Sequence, residues 1–428
     1  MIQGAPLDAR DKGFPGKAGT VALEDVGGGS WSLLNEDLPL PAAILKESAL
    51  RHNARWMKAF AEAVGVGLAP HGKTTMCPAL FELQIEEGAW GVTVATPHQL
   101  QVARSFGFGR ILLANQLVGR SAIEWVIDEL QQHPDFDFYC LLDSVTNLEQ
   151  LAAVARRQRL SRPLQVLVEV GFAGGRTGCR SVQQAVELAA QTHERRDVIA
   201  LRGVEGYEGI IKASDDAETV RQVDQFLDRV LECAQRCAER SLFAPGEVVL
   251  SAGGSAFFDR VAAKLSKVDL KRSKLVLLRG GCYLVHDHAM YARAFEHVKS
   301  RSATAVATGS GLLPALEVWS YVQSMPEPGR AIAVMGKRDV SYDDPPTPIK
   351  WYRPGSDVAA VTALDRRYSV SHLNDQHCYV NVPADCHWRV GDMVAFGISH
   401  PCLTFDKWRI LHVVDDEYRI VRSLRTYF

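Results

Sequence analysis

VGVGLAPHGKT (residues 64–74) joins a short apolar run to a loop that carries Lys73, and a helix-like stretch follows at residues 77–87. A lysine between a strand and the next helix lies at the carboxyl end of the strand, where α/β barrels collect their active-site groups. An amine held there can form a Schiff base with a carbonyl cofactor when its surroundings favour the neutral form. Taken alone, the pattern is also typical of a solvated surface lysine.

The same alternation of apolar run and helical stretch recurs between Val64 and Gly281. Eight runs are present, at residues 64–70, 90–96, 110–115, 136–143, 164–170, 201–206, 248–252 and 275–278. The segments between them carry apolar residues at spacings of three and four, as amphipathic helices do. Eight such units over about 220 residues predict an α/β fold with a (β/α)8 TIM barrel. A doubly wound sheet is the alternative, but no G-x-G-x-x-G motif follows an early run.

From about Arg301 the pattern changes to short runs separated by Gly, Pro and Asp, which predicts an antiparallel β-domain. Its expected strands are residues 302–306, 331–334, 358–362, 379–382, 393–397, 410–414 and 418–423. Residues 20–23 and 31–34 also favour strands and are expected to join this sheet. We therefore assign residues 40–300 to the barrel, and residues 1–39 and 301–428 to the β-domain.

Composition excludes several classes of function. The chain has 428 residues, 47% of them hydrophobic, which is enough to build both domains. Its net charge of −2 and scattered basic residues give no electrostatic reason to expect nucleic acid or an anionic membrane as a partner. No apolar run is long enough to span a membrane, and residues 1–16 lack a signal core, so a cytoplasmic location is expected. The nine cysteines are irregularly spaced, unlike a disulfide framework.

Glycine-rich loops follow the later runs of the predicted barrel. Run five leads to Arg176, whose guanidinium offers a fixed fork of donors, and run six leads to Tyr207. Runs seven and eight end in Gly253-Gly254-Ser255 and Arg279-Gly280-Gly281-Cys282-Tyr283. Loops at these two places usually bind phosphate in such barrels. A phosphate cradle opposite Lys73 favours pyridoxal 5′-phosphate as the cofactor.

A second candidate site is Ser399-His400-Pro401-Cys402 in the β-domain. In an extended segment His400 and Cys402 would point to the same face and could hold one ion. Imidazole and thiolate together favour zinc over magnesium or calcium. Only two protein ligands are evident, which leaves positions for water or substrate, as in a catalytic site. His377 is a possible third group, although it also fits a polar loop.

Together these motifs resemble the D-serine dehydratase and D-threonine aldolase group of alanine-racemase-like, fold type III pyridoxal-phosphate enzymes. The resemblance runs from about Leu40 to the C-terminus and is carried, in order, by residues 70–74, 175–178, 253–255, 279–283 and 399–402. It implies pyridoxal phosphate on Lys73, a β-domain that bears a metal, an amino acid substrate of D configuration and a homodimer. The cofactor contacts it implies are His71, Arg176, Tyr207, Gly253, Gly254, Ser255, Arg279, Gly281, Cys282 and Tyr283.

Three places depart from the pattern of this group. Ala69 and Thr75 stand where the group often has Arg and a second His, and residues 375–378 replace the usual Glu-Glu-His-Gly. These changes leave the preferred substrate open. Cys402 resembles the dehydratase form of the metal motif, whereas aldolases of the group tend to carry Asp there.

These observations lead to a hypothesis of β-elimination from D-serine, or a related D-β-hydroxy amino acid, to a 2-oxo acid and ammonia. Lys73 would act as the general base, and zinc on His400 and Cys402 would assist the departing hydroxyl. Retro-aldol cleavage to glycine and an aldehyde, and a broader D-amino acid deaminase, remain alternatives. A racemase needs no metal, so the His400–Cys402 pair argues against it. A non-enzymatic pyridoxal-phosphate carrier is typically a barrel alone, so the β-domain argues against that class.

Overall fold

The computed structural model describes residues 6–27 and 31–428. It contains two sheets, and one of them is a parallel eight-stranded barrel. Strand β1 (Ala42–Lys46) belongs to a second sheet. The barrel strands are β2 (Gly67–Leu68), β3 (Val92–Val94), β4 (Arg110–Gln116), β5 (Asp137–Leu142), β6 (Leu164–Val170), β7 (Ile199–Gly206), β8 (Val248–Ala252) and β9 (Lys274–Leu278). They pair in the order β2-β9-β8-β7-β6-β5-β4-β3. All eight predicted runs are therefore confirmed as strands.

Two backbone hydrogen bonds close this sheet on itself. The amide of Thr93 donates to the carbonyl of Pro70 at 2.9 Å, and that of Trp90 donates to Leu68 at 2.7 Å. These bonds join β3 to the segment that contains β2, so the sheet has no free edge there. The prediction of a TIM-like barrel is confirmed, and the doubly wound alternative is wrong.

Helices alternate with the barrel strands, as their apolar spacing predicts. They are α1 (Glu47–Val64), α2 (Pro78–Glu86), α3 (Pro97–Ser105), α4 (Arg120–Gln132), α5 (Val145–Arg157), α6 (Val182–Glu194), α7 (Asp216–Glu239), α8 (Phe258–Leu265) and α9 (Met290–Arg301). Thr96, Ser144, Ser181 and Asp215 cap α3, α5, α6 and α7 by accepting an amide hydrogen bond. No helix in the described part of the chain has the length and apolar character needed to cross a membrane.

The second sheet is mostly antiparallel, and strand β1 lies inside it. After α10 (Ala303–Ala307), its strands are β10 (Leu316–Glu327), β11 (Arg330–Ala333), β12 (Thr347–Tyr352), β13 (Thr362–Ala363), β14 (Ser369–Leu373), β15 (Cys378–Asn381), β16 (Met393–Gly397), β17 (Ile410–Val414) and β18 (Ile420–Arg425). The main order is β13-β12-β16-β10-β1-β17-β18, and a short helix, α11 (Cys402–Phe405), precedes β17. The predicted β-domain is confirmed, and it contains an N-terminal strand.

Several details of that domain differ from the sequence predictions. Residues 302–306 are not a strand but mostly α10, because the Ser302 hydroxyl accepts from the Ala305 amide and starts a helix. Residues 358–362 mainly form a 3-10 turn. Residues 20–23 and 31–34 make only single bridges, at Val21 and Ser32, and β1 is the N-terminal strand that joins the sheet. Residues 1–5 and 28–30 of the assigned N-terminal segment lie outside the described residues, and the boundaries at 40 and 300 stay a prediction.

Hydrogen bonds join the segment that follows β9 to the β-domain. The Ala315 amide donates to the Val285 carbonyl at 2.8 Å, and the His288 amide donates to Ile398 at 3.0 Å. The buried Asn53 amide group donates to the carbonyls of Leu284 and Leu313. One continuous hydrophobic core includes residues from both sheets. The loops at the carboxyl end of the barrel are therefore held against the β-domain.

We expect Gly203→Ala to disrupt the barrel, because a Cβ at Gly203 in β7 would lie 1.8 Å from the carbonyl oxygen of Val249 in β8. Relief of that clash requires the strands to separate, and we expect a loss above ~3 kcal/mol in the free energy of unfolding. Gly109→Ala is the matched control, because a Cβ there meets nothing within 4 Å. Urea unfolding of both variants measures the difference, and equal stability would contradict the close strand contact.

Candidate active site

Lys73 lies just beyond β2, in a 3-10 turn at Gly72–Thr74. The turn is closed by a hydrogen bond from the Met76 amide to the Gly72 carbonyl at 2.8 Å, and Gly72 packs closely on the ring of Phe81. The Lys73 side chain itself reaches solvent. Within residues 6–27 and 31–428 no hydrogen bond or ion pair engages its amine. The fixed backbone thus presents an amine that is free to react.

The surroundings of Lys73 favour its neutral form. Partial desolvation by the cleft walls lowers the pKa of the Lys73 amine, the thiolate of Cys402 opposes this, and the guanidinium of Arg176 reinforces it. Desolvation and the nearby cations, Lys73 foremost, hold the pKa of His71 well below its ordinary value. The buried Nδ1 of His71 has no hydrogen-bond partner. The lowered pKa favours the neutral imidazole of His71, and its Nδ1 is free to bind a ligand.

Arg176 and Tyr207 meet above the ends of β6 and β7. The Arg176 guanidinium lies over the Tyr207 ring, with 4.2 Å between the guanidinium carbon and the ring centroid. The same ring packs on Gly254, where a Cβ would lie 3.1 Å from a ring carbon. Three of the predicted cofactor-binding residues are thus brought together from three separate loops.

Glu208 is a site residue that the sequence reasoning missed. Its buried carboxylate accepts hydrogen bonds from the amides of Gly253, at 3.1 Å, and Gly254, at 2.9 Å. These two amides were expected to face a phosphate, and here a carboxylate already holds them. The amides of Ser255 and Gly281 donate to no other described residue. Both amides are therefore open to an anion.

The loop after β9 presses against the turn that carries Lys73. A Cβ at Gly281 would lie 2.3 Å from the His71 carbonyl oxygen and 2.8 Å from the Thr74 hydroxyl. The side chain of Tyr283 is buried and hydrogen-bonds with Gln84. It lines a cavity together with Ser255, Gly280 and Cys282.

Arg279 is buried below the cleft rather than lining its surface. It forms an ion pair with Glu205, donates to the Gly206 carbonyl at 3.2 Å, and leaves its buried Nε without a partner. Burial raises the pKa of Glu205 to about 8, while Arg279 acts in the opposite direction. Glu169, the neighbour of Glu205 across β6 and β7, accepts from Gln116 and Thr177. Acidic residues near the ends of apolar strands were the sequence signal for this pair, and it was overlooked.

The predicted metal motif has a different backbone from the one expected. His400 is in a left-handed conformation, φ 49°, and Cys402 begins α11, so the segment is a turn and not an extended strand. The buried carboxylate of Asp287 fixes this turn by accepting from the His400 amide at 3.1 Å. It also accepts from the amides of Ala289, Tyr291 and Ala292. The extended geometry was wrong, yet the turn still brings the His400 and Cys402 side chains together.

His400 and Cys402 shift the pKa of one another in opposite directions. The Nδ1 atom of His400 lies 2.6 Å from an Asp343 oxygen, and the contact with Cys402, followed by that with Asp343, raises the pKa of His400 to about 9. Contact with Cys282, then with His400, lowers the pKa of Cys402 to about 4. A thiolate and an imidazole whose Nδ1 is held by a carboxylate are donors that suit zinc. Among the described residues no three His, Cys, Asp or Glu side chains surround an ion position, and His377 is exposed.

The two predicted sites meet in one cleft. The Sγ atom of Cys402 lies 3.6 Å from the hydroxyl of Thr74, the residue that follows Lys73. Cys282 contacts both residues, with its Sγ 3.8 Å from the same hydroxyl and 3.8 Å from the Cys402 sulfur. The free amine, the unpartnered His71 nitrogen and the open amides of the barrel fit a phosphorylated carbonyl cofactor. The thiolate and imidazole of the β-domain stand beside that position.

Comparison with known families places both halves of the chain. The family described as Alanine racemase, N-terminal domain, matches residues 45–272, which is more than half of the chain. A serine dehydratase domain matches residues 315–414, which include His400 and Cys402.

Individual relatives are distant but cover most of the chain. D-threonine aldolase of Arthrobacter sp is 24% identical over 377 residues, 88% of this chain and 89% of its own. The structure of D-threonine aldolase from Filomicrobium marinum aligns with a TM-score of 0.73 and 21% identity, covering 91% of this chain and 95% of that one. D-threo-3-hydroxyaspartate dehydratase from Delftia sp. HT23 gives 0.70 and 18%, covering 92% and 99%. A mutant of D-threo-3-hydroxyaspartate dehydratase, solved in the metal-free form, gives 0.71 and 18%, covering 93% and 99%.

We expect Gly281→Ala to displace the Lys73 turn, because its Cβ would overlap the His71 carbonyl. Pyridoxal phosphate binding, followed by visible absorbance, should weaken ~10-fold or more, since a small misplacement of a binding group carries a large cost. Gly280→Ala is the matched control, because its nearest neighbour is a Ser255 atom at 3.4 Å, and it should weaken binding much less. Equal binding by the two variants would argue against the contact.

Proposed function

The chain belongs to the alanine-racemase-like, fold type III pyridoxal-phosphate family and carries a serine dehydratase domain, and from that premise we propose that it is a pyridoxal-phosphate- and zinc-dependent D-serine dehydratase. It would convert D-serine, or a related D-β-hydroxy amino acid, to a 2-oxo acid and ammonia. The observation that carries the proposal is the junction of the two motifs, where the Cys402 sulfur lies 3.6 Å from the hydroxyl of Thr74, next to Lys73. The groups needed for proton removal and for departure of the hydroxyl are thereby side by side.

Lys73 would hold the cofactor and later remove the α-proton of the substrate. When bound, pyridoxal phosphate supplies an electron sink for the carbanion next to the amine. Desolvation lowers the pKa of the Lys73 amine, which favours the neutral form that a general base requires. Arg176, Tyr207 and the neutral His71 would orient the cofactor. The open amides of Ser255 and Gly281 would receive its phosphate.

His400 and Cys402 would hold the metal ion on the other side of the cleft. When bound, zinc would act as a Lewis acid toward the β-oxygen of the substrate. This assistance is needed because hydroxide is a poor leaving group. Asp343 would orient the His400 ring through Nδ1, which leaves Nε2 for the ion. The relative solved in a metal-free form supports a metal in this group of proteins.

Retro-aldol cleavage to glycine and an aldehyde is the second candidate. It is favoured by the two relatives named D-threonine aldolase. The same lysine and ion would serve, but the base would take the proton of the β-hydroxyl. Cys402 favours elimination, because it resembles the dehydratase form of the motif. A broader set of D-amino acids is compatible with the same residues, and the homodimer and the cytoplasmic location stay predictions.

Product analysis tests the proposal directly. The purified protein with pyridoxal phosphate should release pyruvate and ammonia from D-serine, and much less from L-serine. Zinc removal by a chelator should abolish the release and added zinc should restore it, because the hydroxyl then has no Lewis acid. Glycine and an aldehyde from D-threonine, with no 2-oxo acid, would establish the second candidate instead. Full turnover after thorough chelation would reject the metal role.

His400→Ala should reduce turnover ~10²-fold or more, since a contact made in the transition state is lost. Cofactor absorbance should remain, because the His400 ring contacts the β-domain residue Asp343 and the barrel binds the cofactor. Asp343→Asn keeps the ligand and should have a smaller effect.

Lys73→Ala should lose the cofactor that borohydride traps on wild-type protein. Trapping at an unchanged level in Lys73→Ala would overturn the assignment.

A further inference from the structure

We propose that Cys282 and Cys402 are a reversible oxidation site, and that a low-molecular-weight disulfide converts them to an intramolecular disulfide. The two residues lie 120 positions apart, and their sulfurs are 3.8 Å apart. All nine cysteines are free thiols in this structure. The inference concerns a covalent modification and does not depend on which reaction the enzyme catalyses.

The two sulfurs are placed to react with one another. A disulfide requires about 2.05 Å between them, so the pair needs to approach by less than 2 Å. Cys402 is the first residue of α11, and Cys282 lies in the loop after β9, so neither is inside a long element that would resist a side-chain rotation. The hydroxyl of Thr74 lies within 3.8 Å of both sulfurs.

Accessibility distinguishes this pair from the other thiol pair of the chain. Cys402 is partly exposed to the cleft, whereas Cys282 is buried behind it. Cys233 and Cys237 are also neighbours, one turn apart on α7, but both have 0% exposure. An oxidant in solution can therefore reach Cys402 and cannot reach the pair on α7. The chain provides its own internal control.

The chemistry balances in two exchange steps with a reagent such as oxidised glutathione. Cys402, as the thiolate, attacks one reagent sulfur, and the first glutathione leaves with the proton that Cys402 lost. Cys282 then loses its proton and attacks the Cys402 sulfur, and the second glutathione leaves as a thiol. Two protein thiols are oxidised, and one reagent disulfide is reduced to two thiols.

The consequence for activity rests on the proposed function. If Cys402 holds zinc, its oxidation removes one of only two protein ligands, and the ion is lost. A bound ion should in turn shield Cys402 from the oxidant. Oxidation would therefore inactivate the enzyme, and a reducing agent with added zinc would restore it. The thiol pair would act as a redox switch on the metal site.

Peptide mapping of the full-length protein tests the proposal. Reduced, chelator-treated protein is incubated with oxidised glutathione, digested without reduction and analysed by mass spectrometry. A Cys282–Cys402 peptide should form at least ~10-fold faster than a Cys233–Cys237 peptide, because Cys402 is partly exposed and both α7 thiols are fully buried. Dithiothreitol should reverse it. Glutathione that stays on Cys402 with no Cys282–Cys402 peptide would overturn the proposal.

Variants identify the two partners and separate this proposal from the proposed function. Cys282→Ser should retain a single glutathione on Cys402, and Cys402→Ser should retain none at either position. The Cys233→Ser/Cys237→Ser double variant should cross-link like wild type. The wild-type peptide map decides the matter if Cys282→Ser fails to fold. Zinc should slow the cross-link; equal rates with and without zinc would contradict the metal assignment and leave the thiol pair supported.

Discussion

The arrangement of the cleft depends on the buried carboxylate of Asp287. It lies between the barrel and the β-domain and accepts amide hydrogen bonds from both, three at the start of α9 and one from His400. The His400 amide is available only because that residue is left-handed, φ 49°, which costs an ordinary residue conformational energy. A buried carboxylate without these donors would be strongly destabilised. The hydrogen bonds therefore compensate the burial and the strained turn together.

The fixed turn directs the side chains of His400 and Cys402 to their partners in the cleft. His400 is directed to Asp343, and Cys402 is brought to Thr74 and Cys282. Gly281 makes the approach of the β9 loop to the Lys73 turn possible, because any side chain there would meet the His71 carbonyl. A nucleophilic amine on the barrel and a thiolate–imidazole pair on the β-domain are thus held within one small volume. Neither half of the protein contains both.

The buried charged side chains near the cleft also have hydrogen-bond or ion-pair partners. Arg279 is paired with Glu205, and Glu169 and Glu208 are satisfied by neutral donors. Desolvation, reinforced by the guanidinium groups of Arg176 and Arg279, lowers the pKa of the Lys73 amine. The sequence reasoning proposed Lys73, Arg176 and Tyr207 as site residues because each follows a recognisable strand. It missed Glu208, because nothing in a local spacing indicates that its carboxylate will reach the amides of Gly253 and Gly254.

The local pattern of side chains determined the barrel. Apolar runs and amphipathic helices alternate regularly along the chain, and this alternation can be read from the sequence alone. It places Lys73 at the end of a strand without any information about distant contacts. The same reasoning failed at α10 and at the turn of His400, where a cap and a buried carboxylate override the apparent strand pattern. Only the tertiary structure decided that Thr74, Cys282 and Cys402 meet, because contacts across hundreds of residues depend on how whole sheets pack. It also decided which backbone amides stay open to a ligand, since a buried polar group takes whichever partner the packing brings to it.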